Sequence, residues 1–364
     1  MTRARTNANV SAAVGRNMII NGSMNVAQRS ASVTGLGAAE GYFTLDRFIL
    51  APSGTAGRLT MSQTADGPNG ISANCLKLDC TTADTSIASG EVLNIQHRFE
   101  GQNLQRIGKG VAGAKQITVS FYVKASAAFT FGVELFDSDN NRQITKLFDT
   151  TTDWVRHEIT FPADVDDGSS PFNDDNAVSL YLQFWLHAGA TYTGGTLNTA
   201  AFANQTSANR VPGIDSFYSS TDNNFFITGV QVEIGPVATE FEQEDISVTL
   251  GKCQRYFQAR SPVSGGTDEA VGAGLWYSDS AILANFSFQK EMRAFPTMSV
   301  SGADWGNAYD VGNNRVTNDT SVFDTITARS ARFFIGTFAA NGTAGRGTYI
   351  QLKNGEYIYA DAEL

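Results

Sequence analysis

Hydrophobic and polar residues alternate with a period of two along much of the chain. The segment 177–187, AVSLYLQFWLH, places Val178, Leu180, Leu182, Phe184 and Leu186 on one face. The same alternation recurs at 116–124, 130–136 and 226–234. Strands with one apolar and one polar face are typical of antiparallel sheets that pack as a sandwich. The pattern therefore predicts an all-β protein with very little helix.

The alternation restarts after Pro262, with shorter strands separated by Gly- and Asn-rich turns. These later strands are predicted at 281–288, 298–302, 325–338, 347–355 and 356–364. We divide the chain into an arm that attaches or is disordered (1–16), a jelly-roll β-sandwich (17–244), a short, partly helical connector (245–260) and a smaller C-terminal β domain (261–364).

Other local signals refine the first domain. Residues 17–29 and 226–234 are expected to form its first and last strands, lying side by side as in jelly rolls. The turn DSDNN (137–141) predicts a hairpin, and 100–108 and 245–258 predict short helical pieces. The segment 188–224 is rich in Gly, Thr, Asn and Ser and has little periodicity, which favours an elaborate loop.

Charge narrows the classes of partner. The 364 residues carry a formal net charge of -10, and only 17% of them are charged. An acidic surface repels phosphate backbones, so we expect no nucleic-acid partner. No apolar run approaches the roughly 20 residues that cross a bilayer, and 1–16 lacks the apolar core of a secretory signal. We expect no membrane insertion and synthesis in a cytoplasm.

The three cysteines predict neither a disulfide nor a metal site. Cys75 and Cys80 are five residues apart in one predicted strand, so their side chains point to opposite faces. Cys253 stands alone. Free, buried thiols are the preferred interpretation.

Catalytic and metal-binding motifs are weak. His97, His157 and His187 lie in or beside strands, where half-exposed, non-catalytic histidines are expected, and neither GxSxG nor HExxH occurs. Glu134 and Glu158 are one carboxylate pair that glycan cleavage would need, but nothing singles them out. Residues 137–141 and 166–175 gather oxygen ligands, yet turn residues that bond their own backbone explain them better. We predict no enzyme, no cofactor and no metal.

A sugar-binding surface is the most specific chemical prediction. The polar faces of strands 117–124 and 178–187 carry aromatic side chains among amides and charges, and aromatic faces stack on the C–H face of a pyranose. The candidate residues are Tyr122, Lys124, Tyr181, Gln183, Trp185 and His187. The alternative is equally open: these aromatics pack beneath 188–224 or against a neighbouring subunit.

Three groups of motifs resemble a family of bacteriophage tail proteins. They are RNMIINGSMNVAQRS with GYFTLDRF, VLNIQHRFEGQNLQRIGKG with ITVSFYVKAS, and ITGVQVEIGPVATEFE with LGKCQRYF, which together span about 17–258. The family is similar to carbohydrate-binding-module-like jelly rolls of tail fibres and other virion appendages. The resemblance implies a non-enzymatic, homotrimeric virion component that takes part in host-surface recognition; it covers neither 1–16 nor 261–364.

These observations lead to one expected function and two alternatives. The expected function is a homotrimeric tail-fibre or tail-tip protein that is assembled in the host cytoplasm, located in the virion and bound to host-surface polysaccharide. Its other partners would be tail or baseplate proteins. The first alternative is a purely structural virion protein, namely a head or tail decoration or an adaptor. The second is a glycan-cleaving tail depolymerase.

Overall fold

The computed structural model describes residues 15–165, 170–262, 267–310, 313–316, 321–336 and 342–364. The predicted arm therefore lies almost entirely outside the described residues. The chain forms two compact units: the first runs up to Leu250 and includes Leu364, and the second is Gly251–Glu363. The division falls within 245–260, the segment that the sequence marks as a connector.

The first unit is a sandwich of two antiparallel sheets. Its strands are β1 (Ser32–Leu36), β2 (Ile49–Ser53), β3 (Arg58–Thr64), β4 (Cys75–Thr82), β5 (Val92–Glu100), β6 (Ile117–Ala125), β7 (Thr130–Asp137), β8 (Arg142–Asp149), β9 (Val155–Phe161), β10 (Val178–Ala188), β11 (Ala203–Asn204) and β12 (Asn224–Ile234). The first sheet has the order β1-β3-β4-β12-β6-β9, and the second has the order β11-β8-β7-β10-β5-β2. The predicted jelly-roll sandwich is confirmed.

Alternation along the strands builds the core. Leu180, Leu182 and Phe184 of β10 point inward and join Phe121 and Val123 of β6 in one buried cluster that both sheets share. Burying one such side chain contributes about 1.5–3 kcal/mol. Each strand therefore turns its other face outward, away from the opposite sheet.

The expected first strand, 17–29, is not a strand, although its position is as predicted. Met18 N–H donates to Val232 O at 2.9 Å and Val230 N–H donates to Gly22 O at 3.0 Å, so this segment runs along β12. Ser72 Oγ also donates to Ser23 O, at 2.6 Å. The left-handed residues Asn21 and Met24, with φ of 64° and 57°, interrupt the extended backbone and prevent a continuous ladder.

The hairpin predicted at 137–141 joins β7 to β8. Asp137 accepts the Asn140 N–H at 3.1 Å, and its carboxylate also lies 2.8 Å from Lys109 Nζ. Lys109 is buried, and its ammonium donates to Ser170 O at 2.7 Å. Arg142 binds Asp164 through two nitrogens, at 2.8 and 2.9 Å. This buried ionic cluster holds the loop after β9 against the hairpin.

Helix is confined to short pieces. The predicted helical turns at 100–108 are the 3₁₀ helices Gly101–Asn103 and Gln105–Ile107, and 245–258 contains α2 (Ile246–Cys253). Segment 188–224 has short elements of its own: α1 (Ala190–Thr193), β11 and two 3₁₀ helices, Ser207–Asn209 and Phe217–Ser219. No helix in the described residues is long and apolar enough to cross a membrane.

The second unit is also β-structured. Its strands are β13 (Phe257–Arg260), β14 (Glu269–Trp276), β15 (Ile282–Ser287), β16 (Thr297–Val300), β17 (Gly306–Asp310), β18 (Asn313–Val316), β19 (Ser321–Asp324), β20 (Ser330–Ile335), β21 (Gly347–Leu352) and β22 (Ile358–Asp361). They form a sheet of order β13-β22-β16 and a seven-stranded sheet of order β18-β17-β21-β14-β15-β20-β19. Trp276, Trp305 and Phe333 lie at the centre of its core.

All three cysteines are free and buried, as predicted. Cys80 belongs to the sandwich core, whereas Cys75 lies on the other face of β4, with Sγ 3.1 Å from Thr64 Oγ1. Burial raises the pKa of both thiols, that of Cys80 to about 11. They are therefore protonated and unreactive at neutral pH.

Candidate functional site

The six predicted sugar-binding residues do not share a surface. Tyr122 and Lys124 lie on β6 in the first sheet, whereas Tyr181, Gln183, Trp185 and His187 lie on β10 in the second. The inward residues of both strands meet in one core, so the outward residues lie on opposite sides of the sandwich. The predicted single platform is therefore wrong, because alternation does not reveal which sheet a strand joins.

The outer face of the second sheet is largely buried, and we call it the covered face. Gln183, Trp185 and His187 are only 4%, 1% and 0% exposed. Segment 188–224 folds back over them, as in the alternative that places these aromatics beneath it. Of the four candidates on β10, only Tyr181 remains half-buried.

Trp185 is fixed from several directions. Its Nε1–H donates to Glu134 Oε2 at 2.8 Å, and Arg210 from the covering segment binds Glu134 through two nitrogens, at 2.9 and 2.6 Å. The Arg210 guanidinium also lies 4.6 Å from the centroid of the Trp185 ring system. Val211 packs in the same cluster. A sugar ring has no access to a tryptophan face held in this way.

His187 occupies the end of the covered face. Its Nδ1 lies 2.7 Å from Ser216 Oγ, and its Nε2 lies 3.1 Å from Glu91 Oε2. The trio resembles a catalytic triad, but Ser216 Oγ also accepts the Tyr218 N–H at 3.2 Å as the cap of a 3₁₀ helix, and the imidazole is fully buried. Burial lowers the pKa of His187, against the opposing effect of the Glu91 hydrogen bond and charge. These side chains brace the end of the sheet.

The other two histidines also differ in environment. His97, expected to be half-exposed, is buried between Phe48 and Phe99, with ring centroids 5.6 and 4.7 Å away. Its Nε2 accepts the Ile20 N–H at 3.2 Å, and burial lowers its pKa well below the ordinary value of 6.5. The half-exposed environment was thus wrongly predicted for His97 and His187, whereas His157 has it.

One end of the covered face stays accessible. The half-buried rings of Tyr181 and Phe136 lie 5.7 Å apart on neighbouring strands, and the Arg98 guanidinium lies 5.2 Å from the Tyr181 centroid. Arg210 lies 5.1 Å from the Phe136 centroid on the same surface. Guanidinium groups therefore already occupy positions over both rings.

The carboxylate pair Glu134 and Glu158 cannot flank one cleft. Glu134 lies in β7 on the covered face, and Glu158 lies in β9 of the other sheet, where its partner across the strand pair is Ser120. Each is paired with an arginine, Glu134 with Arg210 and Glu158 with Arg156. The sandwich separates the two groups that glycoside hydrolysis would need close together.

The outer face of the first sheet keeps one half-exposed region of aromatic and charged side chains, which we call the open face, although outward residues further along β6 and β12, such as Ser120 and Gln231, are buried. Lys77, Phe226 and Lys124 are register neighbours across β4, β12 and β6. Trp154, which immediately precedes β9, continues this row. Lys124 Nζ lies 4.8 Å from the Phe226 centroid and 5.2 Å from that of Trp154. We call Lys77, Phe226, Lys124 and Trp154 the aromatic–lysine cluster.

Asp66 ties this cluster to the loop after β3. Its carboxylate accepts from Lys124 Nζ at 2.8 Å, and its backbone carbonyl accepts from Trp154 Nε1 at 3.1 Å. Lys77 Nζ, 5.7 Å from the Phe226 centroid, is paired with Asp79 at 3.0 Å. Trp154 and Phe226 meet edge to face, with centroids 6.3 Å apart. The cluster therefore has a defined arrangement while its aromatic side chains remain half-exposed.

Tyr122 lies one row further along the open face. It pairs with Thr228 on one side and Arg156 on the other, and the Arg156 guanidinium is 5.9 Å from its ring centroid. The ladder is irregular between Thr228 and Gln231, where Gly229 has a φ of 61°. A Cβ on Gly229 would meet the Tyr122 ring at 2.8 Å, so glycine there lets the ring approach the backbone of β12 closely.

An open groove of about 560 Å³ adjoins the cluster. It is lined by Ala65, Gly67, Asn69, Gly70, Ile71, Ser72, Ala73 and Gln243. Asp66, between two of the lining residues, contacts Lys124 and Trp154, so groove and cluster are continuous. Gln243 Nε2 donates to Ile71 O at 2.6 Å and closes one side. The volume lies in the range of small-ligand sites, about 300–1,000 Å³.

Of the residues in this region of the open face, the sequence prediction includes Tyr122 and Lys124 and omits Trp154, Phe226, Lys77 and Asp66. Phe226 follows Phe225 in NFFITG, and strand alternation sends one of the two rings outward. That signal was available from the sequence. The contribution of Asp66 was not, because it depends on how the loop after β3 folds back towards β6 and β9.

No metal centre emerges from the described residues: no group of three or more His, Cys, Asp or Glu side chains is placed to hold an ion. In the first of the two acidic turns, the Asp137 carboxylate accepts hydrogen bonds from the backbone and the side-chain amide of Asn140. This is what turn residues that bond their own backbone are expected to do. Part of the second, 166–169, lies outside the described residues.

No family model and no curated protein matches the chain. Among solved structures, it is similar to a family 4 carbohydrate-binding module (10% identity, TM-score 0.30), covering 59% of this chain and 97% of that one. It is also similar to TmCBM61, solved with β-1,4-galactotriose (9% identity, TM-score 0.28), covering 60% of this chain and 99% of that one. A third similar structure is a family 11 carbohydrate-binding module from Clostridium thermocellum (14% identity, TM-score 0.28), covering 58% of this chain and 99% of that one. At these values the likeness concerns the fold alone.

Proposed function

We propose that the first unit binds carbohydrate on the open face, at the aromatic–lysine cluster and the groove beside it. The observation that carries the proposal is the continuity of two half-exposed aromatic rings, Trp154 and Phe226, with a groove of about 560 Å³. Aromatic faces supply the flat apolar surface that the C–H face of a pyranose covers. The groove, lined by Asn69, Ser72 and Gln243 among others, supplies amides and hydroxyls.

The charges favour a neutral glycan. Lys124 is paired with Asp66 and Lys77 with Asp79, so a hydrogen-bond donor and an acceptor stand together on each side of Phe226. A sugar hydroxyl both donates and accepts, and it can bridge such a pair without bringing a net charge. An acidic glycan would have to approach these carboxylates on a chain whose net charge is -10.

The test is a binding measurement with soluble neutral and acidic polysaccharides, by affinity electrophoresis and calorimetry. We expect binding to at least one neutral polysaccharide, and Trp154→Ala should weaken it about tenfold. Tyr181→Ala is the matched control, since it removes a half-buried aromatic from the opposite side of the sandwich. Equal loss of binding in both variants would refute the open-face assignment.

We further propose that this binding serves a virion appendage, in a homotrimeric tail-fibre or tail-tip protein that contacts host-surface polysaccharide. The support is the sequence resemblance over about 17–258. Three copies would multiply a weak single site through avidity. The partners would be tail or baseplate proteins, with assembly in the host cytoplasm. Gold labelling of a tagged chain on intact particles tests the location, and absence of label from the tail would contradict it.

The two alternative functions predict different experimental outcomes. A chain that locates to the virion but binds no polysaccharide would support a purely structural decoration or adaptor. Release of soluble sugar from host envelope material would support glycan cleavage instead. It would require carboxylates other than Glu134 and Glu158, which lie on opposite faces.

A further inference from the structure

The sequence contains four Asn-Gly pairs, at 21–22, 69–70, 341–342 and 354–355. Asparagine is a chemically labile residue, and a following glycine leaves the next backbone nitrogen without steric cover. That nitrogen attacks the side-chain carbonyl wherever the asparagine can rotate towards it, so the fold decides which pair reacts. Residue 341 lies outside the described residues. The pair at 69–70 lies in the wall of the groove on the open face.

The Asn69 side chain is free to rotate. Asn69 and Gly70 are both exposed, and Gly70 has a φ of 79°. The turn is closed by the Ile71 N–H, which donates to Pro68 O at 3.1 Å. A Cβ on Gly70 would meet nothing within 4 Å, so the space beside this residue is open. Within the described part of the chain, no hydrogen bond involves the Asn69 side chain or the Gly70 N–H.

Asn21 is the opposite case within the same unit. Its Nδ2 donates to Val26 O at 2.9 Å and to Asp46 O at 3.0 Å. Its Oδ1 accepts the N–H groups of Asn25 and Val26, at 3.0 and 2.9 Å, and the residue is only 2% exposed. Rotation of this amide towards the Gly22 nitrogen would break all of these hydrogen bonds. The fold therefore protects one Asn-Gly pair and leaves another open to reaction.

We propose that Asn69 is a site of spontaneous covalent modification, which converts a neutral amide in the groove wall into a carboxylate. The Gly70 nitrogen gives its proton to solvent base and attacks Asn69 Cγ. A C–N bond forms, the bond from Cγ to Nδ2 breaks, and the amide nitrogen takes up a proton and leaves as ammonia. Water then opens the cyclic imide at either carbonyl, and the new carboxyl group releases a proton. The products are aspartate and isoaspartate.

The consequence for binding rests on the carbohydrate site proposed above. A carboxylate accepts hydrogen bonds but donates none, so the converted side chain loses the donors that an amide offers to sugar hydroxyls. Isoaspartate also inserts a methylene group into the backbone of the turn. Two residues after Asn69, the Ile71 carbonyl accepts from Gln243 Nε2 at 2.6 Å, the contact that closes one side of the groove. The modification therefore displaces this wall and weakens glycan binding.

The pair at 354–355 provides a comparison in the second unit. Asn354 and Gly355 are exposed, and Gly355 has a φ of 87°. The Glu356 N–H closes this turn by donating to Lys353 O at 3.0 Å. The turns at Asn69 and Asn354 thus share exposure, backbone conformation and the closing hydrogen bond, but the second belongs to a different unit from the groove. Conversion at Asn354 reports the same chemistry away from the carbohydrate site.

Mass spectrometry of proteolytic peptides tests the modification directly. The folded full chain is incubated at mildly alkaline pH in water enriched in heavy oxygen, which labels each imide that opens before digestion. We expect labelled conversion at Asn69 and Asn354, faster than at mildly acidic pH because the attacking nitrogen must lose a proton. Asn21 should convert only in a chain unfolded by guanidinium. An unconverted Asn69, or equal conversion at Asn69 and Asn21 in the folded chain, would overturn the proposal.

Calorimetry with a neutral polysaccharide, before and after the incubation, tests the consequence for the groove. The affinity of the converted wild type should fall at least about threefold. Asn69→Gln should keep the affinity with which it starts, because its longer side chain cyclises far more slowly. Asn69→Asp carries the charge without the inserted methylene, so its affinity should lie between those of the fresh and the converted wild type.

The two measurements separate this proposal from the carbohydrate site. A converted chain that binds as tightly as the fresh one would refute the effect on the groove. A fresh chain that binds no polysaccharide would refute the carbohydrate site instead, and the peptide masses would still decide whether Asn69 is modified.

Discussion

The two outer faces of the sandwich begin from the same sequence pattern and end differently. On β6 and on β10, outward positions carry an aromatic residue among polar ones, yet Trp185 of β10 is 1% exposed whereas Tyr122 of β6 stays half-exposed. The difference comes from segment 188–224, whose Arg210 binds Glu134 beside Trp185. Outward orientation is a local property of a strand, but solvent exposure depends on distant segments of the chain.

Replacing Trp185 should give the largest effect, a loss in the free energy of unfolding. Trp185→Ala removes a fully buried ring, and truncation of a buried aromatic costs about 3–5 kcal/mol. It also leaves Glu134 Oε2 without its indole donor. Urea unfolding monitored by far-ultraviolet circular dichroism measures this free energy. Trp154→Ala is the matched variant on the open face and should cost about 1 kcal/mol or less. Equal costs would mean that the two faces are equally buried.

Acid should weaken the structure through its buried histidines. The folded-state pKa values of His187 and His97 are lowered by burial, while the unfolded chain takes up their protons near the ordinary value of 6.5. Protonation therefore favours the unfolded state as the pH falls below about 6.5, and stability is regained as the pH rises. Each histidine contributes a loss of at most about 1.4 kcal/mol per pH unit.

Urea unfolding at about pH 7.5 and about pH 5.5 measures this loss of stability in acid. His187→Gln should reduce the difference in unfolding free energy between the two pH values and thereby isolate the contribution of the covered face. The same substitution at His97 isolates that of the core. A chain equally stable at both pH values would contradict the buried, neutral state of both rings.

Trp154→Ala tests the contrast between the two faces through glycan binding at the open face. We expect glycan affinity to fall about tenfold, or by about 1.4 kcal/mol, since the ring supplies one half of the aromatic surface. Calorimetry with the neutral polysaccharide that binds most tightly measures this change in affinity. Lys124→Met serves as an intermediate variant, because it keeps most of the aliphatic contact with both rings while removing the hydrogen bond to Asp66.

The smallest expected effect belongs to Tyr181. Tyr181→Ala should change glycan affinity less than about twofold, because Arg98 already lies over the ring and the rest of the covered face is closed. Calorimetry under the same conditions measures it. A tenfold loss here would move the proposed site to the accessible end of the covered face and would end the contrast between the two faces.

The sequence predicted the fold well because periodicity reports on strands directly. The inward set of β10, from Leu180 to Leu186, is as the alternation requires, and so are the hairpin after Asp137 and the free thiols. Segment 17–29 shows the limit: proximity to β12 was predictable, but the left-handed backbone at Asn21 and Met24 was not.

The candidate site was less predictable because it depends on pairings between distant residues. Tyr122 and Tyr181 looked equivalent, and only the sheet order separates them. Trp154 and Phe226 become neighbours because β9 and β12 both flank β6. Asp66 joins them through a loop. Alternation within a strand contains no information about these partners.

The beginning of the first unit has a mechanical consequence. Residues 17–22 run antiparallel to β12, so residue 15 and residue 242 lie side by side, joined by the Gly15 N–H bond to Glu242. Tension applied between these two points would load the hydrogen bonds to β12 one after another, as a zipper opens, whereas termini at opposite ends would load them together in shear. In single-molecule pulling, the leading residues should peel away at low force before the two sheets come apart.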